Sequence, residues 1–131
     1  MNKDMIGTYG EYFCVTRLLS WGYPATIVPG PFTYDVVVDI NGKPLRIQVK
    51  TTNRESSRGG SFEWNCRHSV KNKAYSEGDY DIMACVAVPN YRMIFLPFHK
   101  KQIISRSCDK LNREEERKSW ETCLDTLGLI K

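Results

Sequence analysis

Apolar positions along this chain follow two rhythms. Over residues 4–21 they recur at helical spacing, with Gly7, Glu11, Cys14 and Leu18 on one stripe. This predicts a helix with Asp4 as its N-cap and Gly22 as the stop before Pro24. Gly7 and Gly10 lower helix propensity, which points to close packing against another element. Glu11 then sits among small and apolar neighbours, either on a covered face or at the stripe's edge and in reach of water. Over residues 34–50 the rhythm changes to two. Asn41-Gly42 separates two runs rich in β-branched residues, the signal for a two-residue type I′ hairpin. Its cross-strand pairs are Ile40 with Lys43, Asp39 with Pro44, Val37 with Arg46, and Asp35 directly opposite Gln48. One face reads Asp35, Val37, Asp39, Arg46, Gln48, Lys50. The other reads Tyr34, Val36, Val38, Ile40, Leu45, Ile47, Val49, and a one-residue slip would invert both.

The remaining pattern supplies the rest of an α/β fold. Residues 25–28 predict a short strand, and Pro29-Gly30-Pro31 a rigid turn. Residues 53–60 predict a mobile loop, 61–66 a strand, and 67–78 a loop or short helix. Residues 81–88 are a continuous apolar run and predict a buried strand. Pro89-Asn90-Tyr91 turns the chain, and residues 92–98 return antiparallel. Residues 99–107 predict a short amphipathic helix. Residues 112–127 predict a clear one, with Asn112 and Glu115 as a capping box and Glu114, Glu115 and Glu116 at the positive end of its dipole. Trp120, Cys123, Leu124 and Leu127 form its apolar stripe, and Gly128 ends it. No repeat or linker interrupts this order, so residues 1–131 are expected to form one α/β domain with a mixed central sheet flanked by helices.

Composition narrows the function classes. With 41% hydrophobic residues in 131, the chain can bury a real core. No apolar run is long enough to span a membrane, and no basic segment precedes a hydrophobic one at the start, so a cytoplasmic protein is expected. Cys14, Cys85 and Cys123 fall in apolar patterns and read as small core residues. Cys66-Arg67-His68 is the one Cys/His neighbourhood, and it lacks the four-ligand spacing of a structural zinc site. The net charge is +4, but residues 43–75 hold eight basic residues against two acidic ones, leaving −2 for the remainder. Such a segment suits a polyanionic partner, nucleic acid before others; the plainer alternative is a solvated loop.

The hairpin register adds chemistry. A 35:48 pair would be non-hydrogen-bonded, with Cβ atoms roughly 4.5–5.5 Å apart. A carboxylate, an amide oxygen and an ammonium group would converge on one patch. Asp35 and the Gln48 carbonyl are hard oxygen donors suited to Mg²⁺. Lys50 could orient a water or stabilise a phosphoryl oxygen. The alternative is a ribbon whose polar face is simply wet.

An acid in the first helix (Gly10-Glu11), an Asp opening a strand (Tyr34-Asp35) and Gln48-Val49-Lys50 on its partner resemble the PD-(D/E)xK nucleases. The nearest resemblance is to the small homing endonucleases of cyanobacterial group I introns, which also carry Gln in place of the usual acid. It extends to Gly22-Tyr23-Pro24, to Thr51-Thr52 after the lysine, and to residues 79–86 and 93–98, about three quarters of the chain. It implies a restriction-endonuclease-like core. It also implies Mg²⁺, with Mn²⁺ as substitute, held by Asp35, the Gln48 amide oxygen and the Val49 carbonyl. Lys50 would position the attacking water, and Glu11 would complete the outer shell or hold a second ion. Two positions depart from the pattern: Tyr34 replaces Pro, and Gln48 removes one negative charge, which favours a single ion and leaves open a weakened site. The expectation is a site-specific endonuclease of double-stranded DNA, of bacterial, phage or intron origin, working as a homodimer or homotetramer. Arg54, Arg58, Asn65, Arg67, Lys71 and Lys73 are the expected DNA contacts. Rival readings are a Holliday-junction resolvase, a DNA-binding protein with a weakened nuclease site, and a protein-binding α/β domain.

Overall fold

The Asn41-Gly42 turn forms as its chemistry dictates. In the computed structural model, which describes residues 1–68, 71 and 73–129, both residues have positive φ, 52° and 86°. The turn joins β2 (Val36–Ile40) to β3 (Lys43–Thr52) in the expected register, from Ile40 with Lys43 to Val36 with Ile47. β1 (Ala25–Ile27) pairs antiparallel with β2. On the other side of β3 lies β5 (Ile82–Ala87), parallel to it, and then β6 (Arg92–Pro97), antiparallel to β5. The central sheet is therefore mixed, in the order β1-β2-β3-β5-β6. β2, β3 and β5 are its inner strands, and every residue of β5 is buried, as a continuous apolar run requires.

Two layers cover this sheet. On one face lie α1 (Lys3–Ser20) and α2 (Arg113–Thr126). Cys14, Leu18, Trp120, Cys123 and Leu124 pack there against Val36, Val38, Leu45, Ile47 and Val49. On the other face a ribbon of β4 (Ser61–Asn65) and β7 (Ile103–Ser107) brings Phe62, Trp64 and Ile104 against Met83, Cys85 and Ile94. The hairpin's two predicted faces are thus real: Val36, Val38, Leu45, Ile47 and Val49 all meet the helices. Among the described residues no helix is long and apolar enough to cross a membrane.

Three expectations need correction. Residues 103–107 form a strand, not part of a helix. Ile104 is buried while Ile103 stays exposed, a period of two, and pairing with β4 satisfies a backbone that would otherwise be an open edge. The N-cap of α1 is Asn2, whose side chain accepts from the Met5 N–H at 2.9 Å; Asp4 sits in the first turn instead. Tyr34, expected on the same hairpin face as Val36 and Val38, packs instead on the ribbon side of the sheet. Glu116 stands in the first turn of α2 as expected. It is buried, accepts from the Met93 N–H at 3.0 Å and forms an ion pair with Arg17. Residues 69, 70 and 72 of the expected 67–78 segment lie outside the described residues.

The two glycines of α1 part company. A Cβ on Gly7 would meet nothing, whereas one on Gly10 would lie 1.8 Å from Thr51 Oγ1. The helix backbone lies against the Thr51 side chain at this point, and Gly10 is what permits it. Gly10→Ala is expected to cost about 1–3 kcal/mol in urea denaturation, as overpacking does. Adding Thr51→Ala, which removes the nearest atom, should recover part of that loss.

Candidate active site

β2 and β3 run in register until Asp35, and there the ladder breaks. Val36 is the partner of Ile47, yet the Asp35 N–H also donates to the Ile47 carbonyl at 2.8 Å. Two residues face one, which is a β-bulge. Asp35 is therefore not directly opposite Gln48, as the unbroken register predicts. Its carboxylate turns into the gap and accepts from the Val49 N–H at 2.9 Å. Backbone N–H groups point along the plane of a sheet, so the carboxylate lies between the strands and within reach of both faces. The Asp35 carbonyl accepts from the Val28 N–H at 2.9 Å, which pins the residue from its other side.

Each neighbour arrives from a different element. Glu11 comes from α1, one residue after the Gly10–Thr51 contact, and its pKa rises from the ordinary 4.5 to about 7. Half-burial is the larger cause and the Asp35 charge the second. Asp35 is itself pushed up by burial, against the pull of the Val49 N–H and of Lys50. Lys50 is lowered by burial and raised back by Asp35. Its Nζ donates to the Arg67 carbonyl at 2.7 Å and sits 5.2 Å from the centre of the Tyr75 ring. Gln48 is buried, and its Nε2 donates to the Val49 carbonyl at 3.3 Å.

Asp35, Glu11 and Lys50 are thus brought together, with Gln48 and Val49 beside them. Among the described residues no three His, Cys, Asp or Glu side chains are grouped to hold an ion. The donor set is two carboxylates plus amide and backbone oxygens, all hard, as Mg²⁺ prefers. A carboxylate whose charge raises the proton affinity of its neighbour, as that of Asp35 does for Glu11, also suits a divalent ion. Gln48 fits only after its amide turns, because its nitrogen now takes the Val49 carbonyl.

The expected DNA contacts divide. Asn65 and Arg67 line a groove of about 430 Å³ beside Lys50, together with Lys3, Thr51 and His68. Arg54 and Arg58 are exposed on the loop after β3, and Lys71 and Lys73 are exposed beyond β4. Sequence reasoning missed Lys3 and Tyr75. Nothing local marks either one, since both enter through the packing of α1 and of the 67–78 segment.

A family model for PD-(D/E)XK endonucleases matches residues 1–122. Among solved structures the fold is similar to that of a bacterial homing endonuclease, I-Ssp6803I, at 17% identity and a TM-score of 0.72, over 95% of this chain and 93% of that one. It is also similar to Hjc, a Holliday junction resolvase from the archaeal hyperthermophile Archaeoglobus fulgidus, at 16% identity and a TM-score of 0.45, over 79% and 84%. The chain matches no curated protein.

The Glu11 shift sets a pH dependence. A folded-state value of about 7 against an ordinary 4.5 means that the folded chain holds a proton the unfolded chain releases. This contribution to stability is full below about 4.5 and is lost as pH rises through about 7. Without divalent ions, the Tm of the wild type should fall relative to that of Glu11→Gln between pH 5 and pH 8. Mg²⁺ added at pH 8 should raise the wild type's Tm more than the variant's. Parallel Tm curves would contradict the assignment.

Proposed function

The chain belongs to the PD-(D/E)XK endonuclease family, and from that membership we propose that it is a Mg²⁺-dependent endonuclease that cuts double-stranded DNA at specific sites. The observation that carries the reading is the bulged Asp35 carboxylate, held within electrostatic reach of both Glu11 and Lys50 beside a basic groove. Mg²⁺ would be held by Asp35, the Val49 carbonyl and, after rotation of its amide, the Gln48 oxygen, with Glu11 in an outer position. When bound, it would supply charge stabilisation for the phosphoryl group.

The chain's own groups account for the rest. The groove admits a phosphodiester beside Lys50, and Asn65 and Arg67 on its wall hold flanking phosphates. Phosphoryl transfer asks mainly for positioning and charge compensation. Lys50, fixed by the Arg67 carbonyl, orients a water in line with the phosphorus. Burial lowers its proton affinity, so that more of the amine is neutral and able to take a proton from that water. As the water oxygen bonds to phosphorus, the bond to the leaving sugar oxygen breaks, and that oxygen takes up a proton. One chain carries one such centre, so cutting both strands calls for a homodimer or homotetramer. I-Ssp6803I, described as a homing endonuclease, supports site specificity by its likeness of fold.

A second reading rests on Gln48. With two carboxylates and an amide turned onto the Val49 carbonyl, the chain would bind DNA but hydrolyse it poorly. The two readings separate in one experiment on plasmid DNA, linear duplexes and a four-way junction, with Mg²⁺ or Mn²⁺. The nuclease reading expects metal-dependent cutting that falls about 100-fold or more in Lys50→Ala and in Asp35→Asn, which keeps the acceptor for the Val49 N–H. Binding should remain in both variants and weaken linearly in log–log terms with salt. Binding without cutting by the wild type, together with cutting gained by Gln48→Glu, would establish the second reading instead.

A further inference from the structure

A second concentration of positive charge lies on the helix side of the fold, away from the groove. Arg17 from α1, Arg92 from the start of β6, and Arg113 and Arg117 from the first turns of α2 line one cavity of about 590 Å³, with Trp21 and Glu116. Four guanidinium groups face one carboxylate. That carboxylate, Glu116, is sealed beneath and already engaged by Arg17 and the Met93 N–H. Arg17 also donates to the Tyr91 carbonyl at 3.2 Å. Arg117 stacks 4.7 Å from the Trp21 ring and meets Glu121 at 3.6 Å. The side chains of Arg92 and Arg113 make no hydrogen bond, ion pair or ring contact with any described residue.

Arg17 and Arg117 have carboxylate partners, but Arg92 and Arg113 add two charges whose side chains meet none among the described residues, and such charges raise the energy of the folded chain unless an anion joins them. Unpartnered guanidinium forks on a concave wall match the planar, bidentate geometry of phosphate oxygens. Neither the PD-(D/E)xK residues nor the groove uses any of these arginines. α1 connects the two regions: Lys3 near its start lines the groove, and Arg17 near its end lines the cavity. Fourteen residues of helix separate them by about 21 Å, roughly six base pairs of duplex at about 3.4 Å each.

We propose that the arginine cavity is a second phosphate-binding site, which holds a DNA backbone phosphate several base pairs from the one presented to Lys50. This rests on the reading of the chain as a DNA nuclease and extends its footprint across the helix face. Arg92 and Arg113 make the contact, while Arg17 and Arg117 form the charged wall behind it.

The test uses the full chain and a fluorescein-labelled 30-base-pair duplex in EDTA, with binding followed by anisotropy across a range of NaCl concentrations. Arg92→Ala with Arg113→Ala should lower the slope of log affinity against log salt by about 2, since each phosphate contact contributes about 0.9. Affinity at 0.1 M salt should drop about tenfold. Arg92→Lys with Arg113→Lys, which keeps the charge, should restore most of the slope. A charge-matched control, Lys43→Ala with Lys110→Ala, at exposed positions lining neither region, should change it little. A slope equal to the control's overturns the proposal and leaves the nuclease reading standing. Inorganic pyrophosphate is the second arm. Thermal stabilisation by pyrophosphate that vanishes in the alanine double variant, with DNA binding unchanged, would make the site one for small phosphate compounds and overturn the DNA assignment. A wild type that binds no DNA at all would overturn both readings.

Discussion

The hydrogen bond from the Val49 N–H to the Asp35 carboxylate is the constraint on which the rest depends. It takes the place of a ladder bond that the hairpin could have made with backbone alone. Because a bulge leaves two residues facing one, the carboxylate is turned off the face that alternation assigns it and into the plane between β2 and β3. From the polar face alone it would meet Lys50 but be screened from α1. From the gap it faces a helix on one side and a lysine on the other. A sheet normally keeps its two faces chemically separate, and this one residue joins them.

That junction works only because α1 comes unusually close. Gly10 lies against Thr51 with no room for a methyl group, and Thr51 Oγ1 is buried there with no hydrogen-bond partner among the described residues. A buried hydroxyl left unpaired costs stability, so the contact is bought by what it positions. Glu11, the next residue, is delivered to Asp35. Farther along the same helix, Arg17 closes onto Glu116 of α2, which ties the helix layer together at its other end. α1 is thus at once a packing element, the carrier of one site residue and the strut between two basic regions.

Much of this was legible in the residues. Asn41-Gly42 specifies both a turn type and a register, and alternation then assigns thirteen residues to faces. The run 82–87 reads as buried because it is apolar throughout. What escaped were features decided by partners distant in sequence. Residues 103–107 have a strand's period, but their β character matters only once β4 lies alongside. The bulge at Asp35 is invisible to pattern, since Asp35 and Gln48 satisfy the period-two rule whether or not the ladder is broken. Glu116 looks like an ordinary first-turn acid until Arg17 and the Met93 N–H surround it. The face of Lys50 followed from spacing and the place of Glu11 from the family resemblance; Lys3 and Tyr75 depended on how separate elements pack.

The parallel pairing of β3 with β5 has a temporal consequence. Lys50 lies beside Cys85, so the strand that carries the lysine is completed by one made 35 residues later. β6, beyond it, is in turn covered by Trp120, which meets Phe95 edge to face. A chain emerging from the ribosome therefore carries Asp35 and Lys50 before the strand that backs them exists. Contacts of this range are slow to form. A PD-(D/E)XK fold built this way sets its Asp35–Val49 bond into a finished sheet only after β5 and β6 have been made, an order that a hairpin-only arrangement would not impose.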